Sequence, residues 1–480
     1  MQQHGQSPRK RKLRLYFTYG VMTMTVVVIS LICILLVLGY RFNFKSGDVQ
    51  QGALLQFMSF PENASITLDN KVLSFQTPGK QNVDTGKHTV SMELSGYQIW
   101  RKSFSVKASE LRWLNYARMV PTDIKTTSVK EFPSIVDSLP SPDRKWYMLH
   151  TTADTPTFTL ADLRDDKKPV LSDFTLPATT YAQKEGATST FSLVEWDFGA
   201  RYVLIKHVLG DTTEYIRADR TDPTNTVDIS TKLGVSLKDI HFSGTSGNVF
   251  YGLEQSGSIR KLDINAGTIS QPVLENVTTF QLFKDSTMAY VLNSKDSKIG
   301  VGIIVNGKAS RVQTYADDMP VFVDTNEYFN DSYMAIGRGN SIVVYKNPET
   351  TDRIKVATVS APTTISWLRF NSSGRFVLAG SGSQYSTYDL ETSEKYDVNL
   401  PGTAADPTKP LQWLDDFYLI SSSDNSLRIT EFDGSNQHVI TSTVAGLPAT
   451  LSDDGKFFYS IGRTQSGAYT LQSSAMTVTN

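Results

Sequence analysis

Leu451-Ser452-Asp453-Asp454-Gly455-Lys456-Phe457-Phe458 decides the fold: an apolar residue, a short turn of Ser, Asp and Gly, then the start of an aromatic strand. Earlier copies read Ser141-Pro142-Asp143-Arg144-Lys145-Trp146-Tyr147, Trp196-Asp197-Phe198-Gly199-Ala200-Arg201-Tyr202 and Phe242-Ser243-Gly244-Thr245-Ser246-Gly247-Asn248-Val249. Between these and the last lie Phe283-Lys284-Asp285-Ser286-Thr287-Met288, Phe329-Asn330-Asp331-Ser332-Tyr333-Met334, Phe370-Asn371-Ser372-Ser373-Gly374-Arg375-Phe376 and Trp413-Leu414-Asp415-Asp416-Phe417-Tyr418. Starts at 141, 196, 242, 283, 329, 370, 413 and 451 are 38 to 55 residues apart. A four-stranded propeller blade has that length, and helical repeats of similar period need long 3.6-residue patterns that this region lacks. A second strand follows the first in several units, as residues 385–390 follow 376–379 and 258–264 follow 249–253. The eight copies predict eight blades, or seven if the first or last unit completes another blade's sheet. Closing the ring removes sheet edges that would otherwise recruit other chains.

Two of these turns, Ser141-Pro142-Asp143-Arg144-Lys145 and Ser452-Asp453-Asp454-Gly455-Lys456, resemble TolB-like and related propeller repeats, whose turn reads Ser-Pro-Asp-Gly-Lys. The resemblance covers residues 132–478 and is degenerate between units, so it speaks to architecture more than to family.

Upstream, residues 16–40 read YFTYGVMTMTVVVISLICILLVLGY without a charge. About 20 apolar residues at ~1.5 Å each cross a ~30 Å hydrocarbon core. The β-branched run Val26-Val27-Val28-Ile29 suits lipid, where every backbone group must bond internally, and Tyr16, Tyr19 and Tyr40 suit the interfacial belts. Arg9, Lys10, Arg11, Lys12 and Arg14 precede the segment and outweigh Arg41 and Lys45 after it. The positive-inside rule then keeps a basic tail, residues 1–15, in the cytoplasm and sends residues 41–480 outside. A cleaved signal peptide would have a shorter apolar region and a small-x-small site, which Val37-Leu38-Gly39-Tyr40-Arg41 does not offer. Cys33 lies mid-span, facing lipid or a neighbouring helix, and Thr23, Thr25 and Ser30 either form a helix–helix seam or bond their own helix.

A linker at 41–52 leads into residues 53–121, where strand periodicity is clear. His88, Val90, Met92 and Leu94 alternate with Thr89, Ser91 and Glu93, and Trp100, Lys102, Phe104 and Val106 repeat the period beyond a Ser95-Gly96-Tyr97 turn. Pro61 ends an earlier strand, Asp69-Asn70 makes a tight turn and Thr77-Pro78-Gly79 a further reversal. These features predict a small antiparallel β-sandwich. The succession Ser59-Phe60-Pro61-Glu62-Asn63-Ala64, Thr67-Leu68-Asp69-Asn70-Lys71, Thr77-Pro78, Thr85-Gly86-Lys87-His88-Thr89-Val90 and Ser95-Gly96-Tyr97 resembles the PEGA domain, whose naming element stands here as Pro61-Glu62-Asn63-Ala64. Asn63 replaces the family's Gly, and Asn is the non-Gly residue that best tolerates left-handed backbone. The resemblance implies an extracytoplasmic β-module of the bacterial envelope with binding or spacer duty and no catalytic residues.

Composition and motif searches narrow the function. With 47 Lys+Arg against 48 Asp+Glu and five of the bases in the tail, the body is mildly acidic, which gives nucleic-acid binding no support. One cysteine allows neither an internal disulfide nor a Cys-based zinc cluster. G-x-S-x-G, H-E-x-x-H and G-x-x-x-x-G-K-[ST] are absent from the sequence, and the acidic turns Asp415-Asp416 and Asp453-Asp454-Gly455 do not fit a calcium loop. His88 has no neighbouring His or Cys to complete a metal site. Carboxylate pairs such as Asp165-Asp166 and Asp317-Asp318 could serve a glycosidase only if they converge in space. Trp100, Trp113 and Tyr116 are candidates for ligand contact, although aromatics in half-buried strands are commonly core residues.

The sequence thus predicts an all-β ectodomain behind one N-terminal transmembrane helix: a PEGA-like β-sandwich (53–121), a linker (122–131) and a seven- or eight-bladed β-propeller (132–478). The expected role is non-enzymatic: a single-pass envelope binding or scaffold protein with no catalytic, cofactor or metal residues. Its expected partners are membrane lipid through residues 16–40, an envelope protein on the propeller, or cell-wall glycan on the PEGA-like module.

Overall fold

The structure, a computed structural model, describes residues 8–37, 40–42, 49–165, 168–294 and 298–478. The chain divides into two compact units, residues 1–122 and 123–480.

In the first unit an α-helix runs from Pro8 to Val37, earlier and longer than the apolar stretch alone suggests. Its large apolar side chains are uncovered; Phe17 is 74% and Met24 70% exposed. Thr23 and Thr25 donate to the carbonyls of Tyr19 and Val21, so these two hydroxyls satisfy their own helix. Tyr40 lies outside the helix. Its strand, Tyr40–Phe42, pairs with Val49–Gln51, so the expected linker 41–52 contains part of a hairpin, whose residues 43–48 fall outside the described set.

The β-module packs two sheets. One orders Lys71–Gln76, Ser65–Leu68, Gly86–Glu93 and Trp100–Val106; the other orders Gly79–Val83, Ala53–Phe60 and Leu111–Arg118. The expected hairpin is present, with Met92 opposite Trp100. The expectation of a purely antiparallel sandwich fails at one pair: Ala53–Phe60 and Leu111–Arg118 run parallel. The module's first and last strands meet in the middle and at the edge of the same sheet, so the intervening strands act as a long crossover. Alternation puts Leu55, Phe57, Ile66, Val90, Met92, Trp100 and Phe104 between the sheets.

The second unit contains, among the described residues, eight four-stranded antiparallel sheets. Blades 1 to 7 are built from consecutive strands, within 137–175, 189–228, 237–269, 277–315, 321–360, 367–399 and 412–442. Blade 8 takes Thr450–Leu451, Phe457–Arg463 and Tyr469–Ala475, and its fourth strand is Thr126–Phe132. Residues 126–131 are therefore not linker: Thr126 pairs with Ser474 and Phe132 with Tyr469, joining the two ends of the ring. Neighbouring blades share apolar cores. Trp146 and Phe158 of blade 1 pack with Phe191 and Val203 of blade 2, and Tyr459 and Leu471 of blade 8 pack with Tyr147 and Leu149 of blade 1. The ring is an eight-bladed β-propeller.

Every copy of the repeated element sits at one place, the hairpin between a blade's first and second strands. Its Ser, Asp or Asn is a turn former. Ser141 Oγ accepts from the Trp146 amide at 2.9 Å, Asp197 Oδ1 from Tyr202 at 2.6 Å, Asn371 Oδ1 from Phe376 at 2.9 Å, and Ser452 Oγ from Phe457 at 3.0 Å. A short side-chain acceptor at that position ties the turn to the strand that follows.

Candidate functional site

The first strands of the blades face the axis, where they line two cavities. One, about 450 Å³, is bounded by Asp137 to Leu139, Leu193, Gln412, Ile420 to Ser423 and Leu447 to Ala449. The other, about 230 Å³, is bounded by Thr279, Gln281, Val321 to Val323 and Ser366 to Arg369. Pro410, in the connection from blade 6 to blade 7, lines both. The space has a structural cause. First strands in blades 2 to 5 span six or eight residues, whereas those of blades 7 and 8 are the dipeptides Gln412–Trp413 and Thr450–Leu451. The 400–411 connection partly fills the gap. It is held by the Gly382 amide and the Ser366 hydroxyl, which both donate to the Pro407 carbonyl, and by the Thr403 amide, which donates to Asp424.

Carboxylates stand on the inner strands, where three of them act as stitches between blades. Asp137 Oδ2 accepts from the Leu193 amide at 2.8 Å, Glu195 Oε1 from Phe242 at 2.7 Å and Asp324 Oδ2 from Phe370 at 2.8 Å, each bond linking one blade to the next. Burial raises the Asp137 and Asp324 carboxyls above the usual range despite these bonds. His241 lies between Glu195, 2.9 Å from Nδ1, and Asp239, 3.4 Å from Nε2. Burial opposes its charge, but the flanking Asp239 and Glu195 carboxylates prevail and lift the imidazole to about 10.

A second cluster escaped the sequence reading. Ser189 Oγ lies 2.8 Å from His207 Nε2, and His207 Nδ1 lies 2.8 Å from Glu214 Oε2, across three adjacent strands of blade 2. The order is that of a hydrolytic triad. Its surroundings are structural: His207 is fully buried, stacked on Phe191 at 4.4 Å and edge-on to Tyr181, while Glu214 Oε2 also accepts from the Ala182 amide. Spacings of 18 and 7 residues match no motif; only the pairing of His207 with Glu214 in register brings the relay together.

The three aromatic candidates separate. Trp100 is 1% exposed, a core residue and not a ligand contact, because strand alternation points it between the sheets. Tyr116 packs edge-on against it at 6.0 Å. Trp113 is 39% exposed and lies in register with Gln56, on a strand pair that also exposes Leu111, Met58 and Phe60. His88 bonds Asp69 and the Asp84 carbonyl, a sheet role. Among the acidic turns, Asp415 Oδ1 accepts from the Tyr418 amide and Asp454 Oδ1 from the Lys456 amide. Asp317 pairs with Arg338, and Asp166 lies outside the described residues.

Residues 54–119 match the PEGA domain, so the chain carries that module between its apolar helix and its propeller. No curated protein matches the chain. Similar solved structures include the computationally designed Ika8 protein, with 14% identity over 72% of this chain and 98% of that one, and a TM-score of 0.42. An oligogalacturonate lyase in complex with manganese shares 8% identity over 73% and 98%, with a TM-score of 0.41. The Cps50 (Swd1) β-propeller domain of Myceliophteria thermophila shares 9% over 72% and 99%, with a TM-score of 0.39. The propeller assignment rests on the sheet topology and ring closure of this chain.

Proposed function

We propose that this is a single-pass envelope protein, anchored by the Pro8–Val37 helix with its N-terminus in the cytoplasm, whose propeller is an extracytoplasmic platform for a protein partner. The uncovered apolar helix and the basic residues before its charge-free stretch support the anchor and its orientation. The PEGA domain supports an extracellular binding or spacer role. The observation that carries the platform reading is the larger axial cavity. Its walls mix aliphatic side chains with polar and charged ones and, among its described lining residues, offer no aromatic ring on which a sugar could stack. Crosslinking of intact cells carrying tagged full-length protein tests it: a reproducible protein partner supports the platform, and recovery of wall fragments alone overturns it.

A second reading, attachment to cell-wall glycan through the PEGA domain, draws on exposed Trp113. Under that reading Trp113→Ala abolishes retention of the full-length protein on isolated wall glycan; under the platform reading it changes nothing.

A further inference from the structure

The three-stranded sheet of the β-module turns one face away from the core. Because Ala53, Leu55, Phe57 and Ser59 are buried beneath it, the alternate residues Leu54, Gln56, Met58 and Phe60 point outward. Register extends this face sideways: Leu54 lies between Asn82 and Leu111, and Gln56 between Lys80 and Trp113. Phe60 pairs with Arg118, whose guanidinium lies 5.8 Å from the centre of its ring. Met58, Phe60, Leu111 and Trp113 are all exposed. No carboxylate stands in these rows, and Glu110 at their edge is engaged by Arg112 and the Lys107 amide. The face thus combines apolar and aromatic side chains with two cations.

The path of the chain fixes what lies within reach of that face. The sixteen links from the helix end at Val37 to Ala53 would span about 58 Å if extended. Pairing of Tyr40 with Gln51 replaces eleven of them by one inter-strand step of about 5 Å, which leaves at most about 23 Å. Ala53 opens the central strand of the sheet, so Leu54 and Leu111 stand at the tethered end. Resting on the reading of Pro8–Val37 as a membrane anchor, we propose that this sheet face docks on the anionic headgroup surface of the same bilayer. Tryptophan favours the membrane interface, the apolar side chains gain by burial in it, and Lys80 and Arg118 meet lipid phosphates. A neutral glycan would give these two cations nothing to pair with.

The test uses the full-length protein in vesicles of phosphatidylglycerol and phosphatidylcholine, the latter brominated high on its acyl chains to quench tryptophan on contact. None of the six tryptophans lies in the helix and Trp100 is buried, so the difference between wild type and Trp113→Phe isolates Trp113. Brominated lipid should quench Trp113, and Trp113→Phe should remove that quenching. Lys80→Gln should lower the docked-to-free ratio about fivefold, the value of one cation at an anionic lipid surface. Quenching as strong in Lys80→Gln, or in phosphatidylcholine alone, overturns the inference. So does an unquenched Trp113 whose emission shifts instead with soluble wall glycan or with protein density, which would give the face to glycan or to a second copy. Carbonate washing separates the two claims. If the protein stays with the vesicles while Trp113 is unquenched, docking falls and the anchor stands; if carbonate strips the protein off, the anchor falls and docking with it.

Discussion

Asp389 is 1% exposed, and its charge is held by a two-pronged Arg375: Nε to Oδ1 at 2.9 Å and Nη2 to Oδ2 at 2.7 Å, with Glu391 also on the guanidinium. Arg375→Ala leaves that carboxylate buried and uncompensated, so denaturant unfolding should show a loss of roughly 3–5 kcal/mol. Arg375→Lys should recover only part, because an ammonium cannot reproduce the fork. His241 gives a pH signature. Its imidazole is raised in the folded protein from 6.5 to about 10, so the charged form stabilises the fold. That contribution is complete below about pH 6.5 and drains away as pH rises through 10. Thermal unfolding of wild type should therefore lose stability across pH 7–10 relative to His241→Gln; parallel curves would remove His241 as the cause. The Ser189–His207–Glu214 relay, read as structural, predicts that a fluorophosphonate ester leaves Ser189 unmodified, while Glu214→Ala destabilises blade 2. Labelling at Ser189 that disappears in His207→Ala would instead make the relay a nucleophile. Asn63 shows what local chemistry can reveal in advance: it adopts φ 69°, the left-handed backbone inferred from its substitution for Gly.

At the scale of elements, the Thr126–Phe132 strand carries more than its length suggests. Without it, Tyr469–Ala475 becomes an open edge and blade 8 loses one flank. A chain starting at residue 123 should give a soluble monomer with one cooperative unfolding transition, whereas one starting at residue 134 should aggregate. Equal behaviour of the two in size-exclusion chromatography would show that closure does not depend on this strand. The segment reads TTSVKEF, polar enough to pass for a linker. Five of its seven residues are polar or charged because a blade's outermost strand is half solvated, so hydropathy does not announce it. The turns, by contrast, announce themselves: each needs a short acceptor and then a strand, and that chemistry is local.

For the whole molecule, the platform reading requires the propeller to lie across the membrane from the basic tail. A tag after Asn480 should be digested by protease added to intact wall-stripped cells; its protection would reverse the orientation. The apolar helix, the PEGA succession and the eightfold repeat were legible from residues 16–40, 53–121 and 141–458, because lipid, tight turns and half-buried strands each impose a local pattern. Blade number, with seven still open, awaited closure, since pairing Thr126 with Ser474 links positions that share no local signal. The same holds for the parallel strand pair, the Ser189 relay and the cavity left by two short inner strands. Sequence by itself determined the apolar helix, the repeated turns and the strands that alternate in polarity, because those choices depend on neighbours within a few residues. Tertiary structure alone decided which carboxylates meet and what space remains at the axis, because these depend on how eight sheets close into one ring.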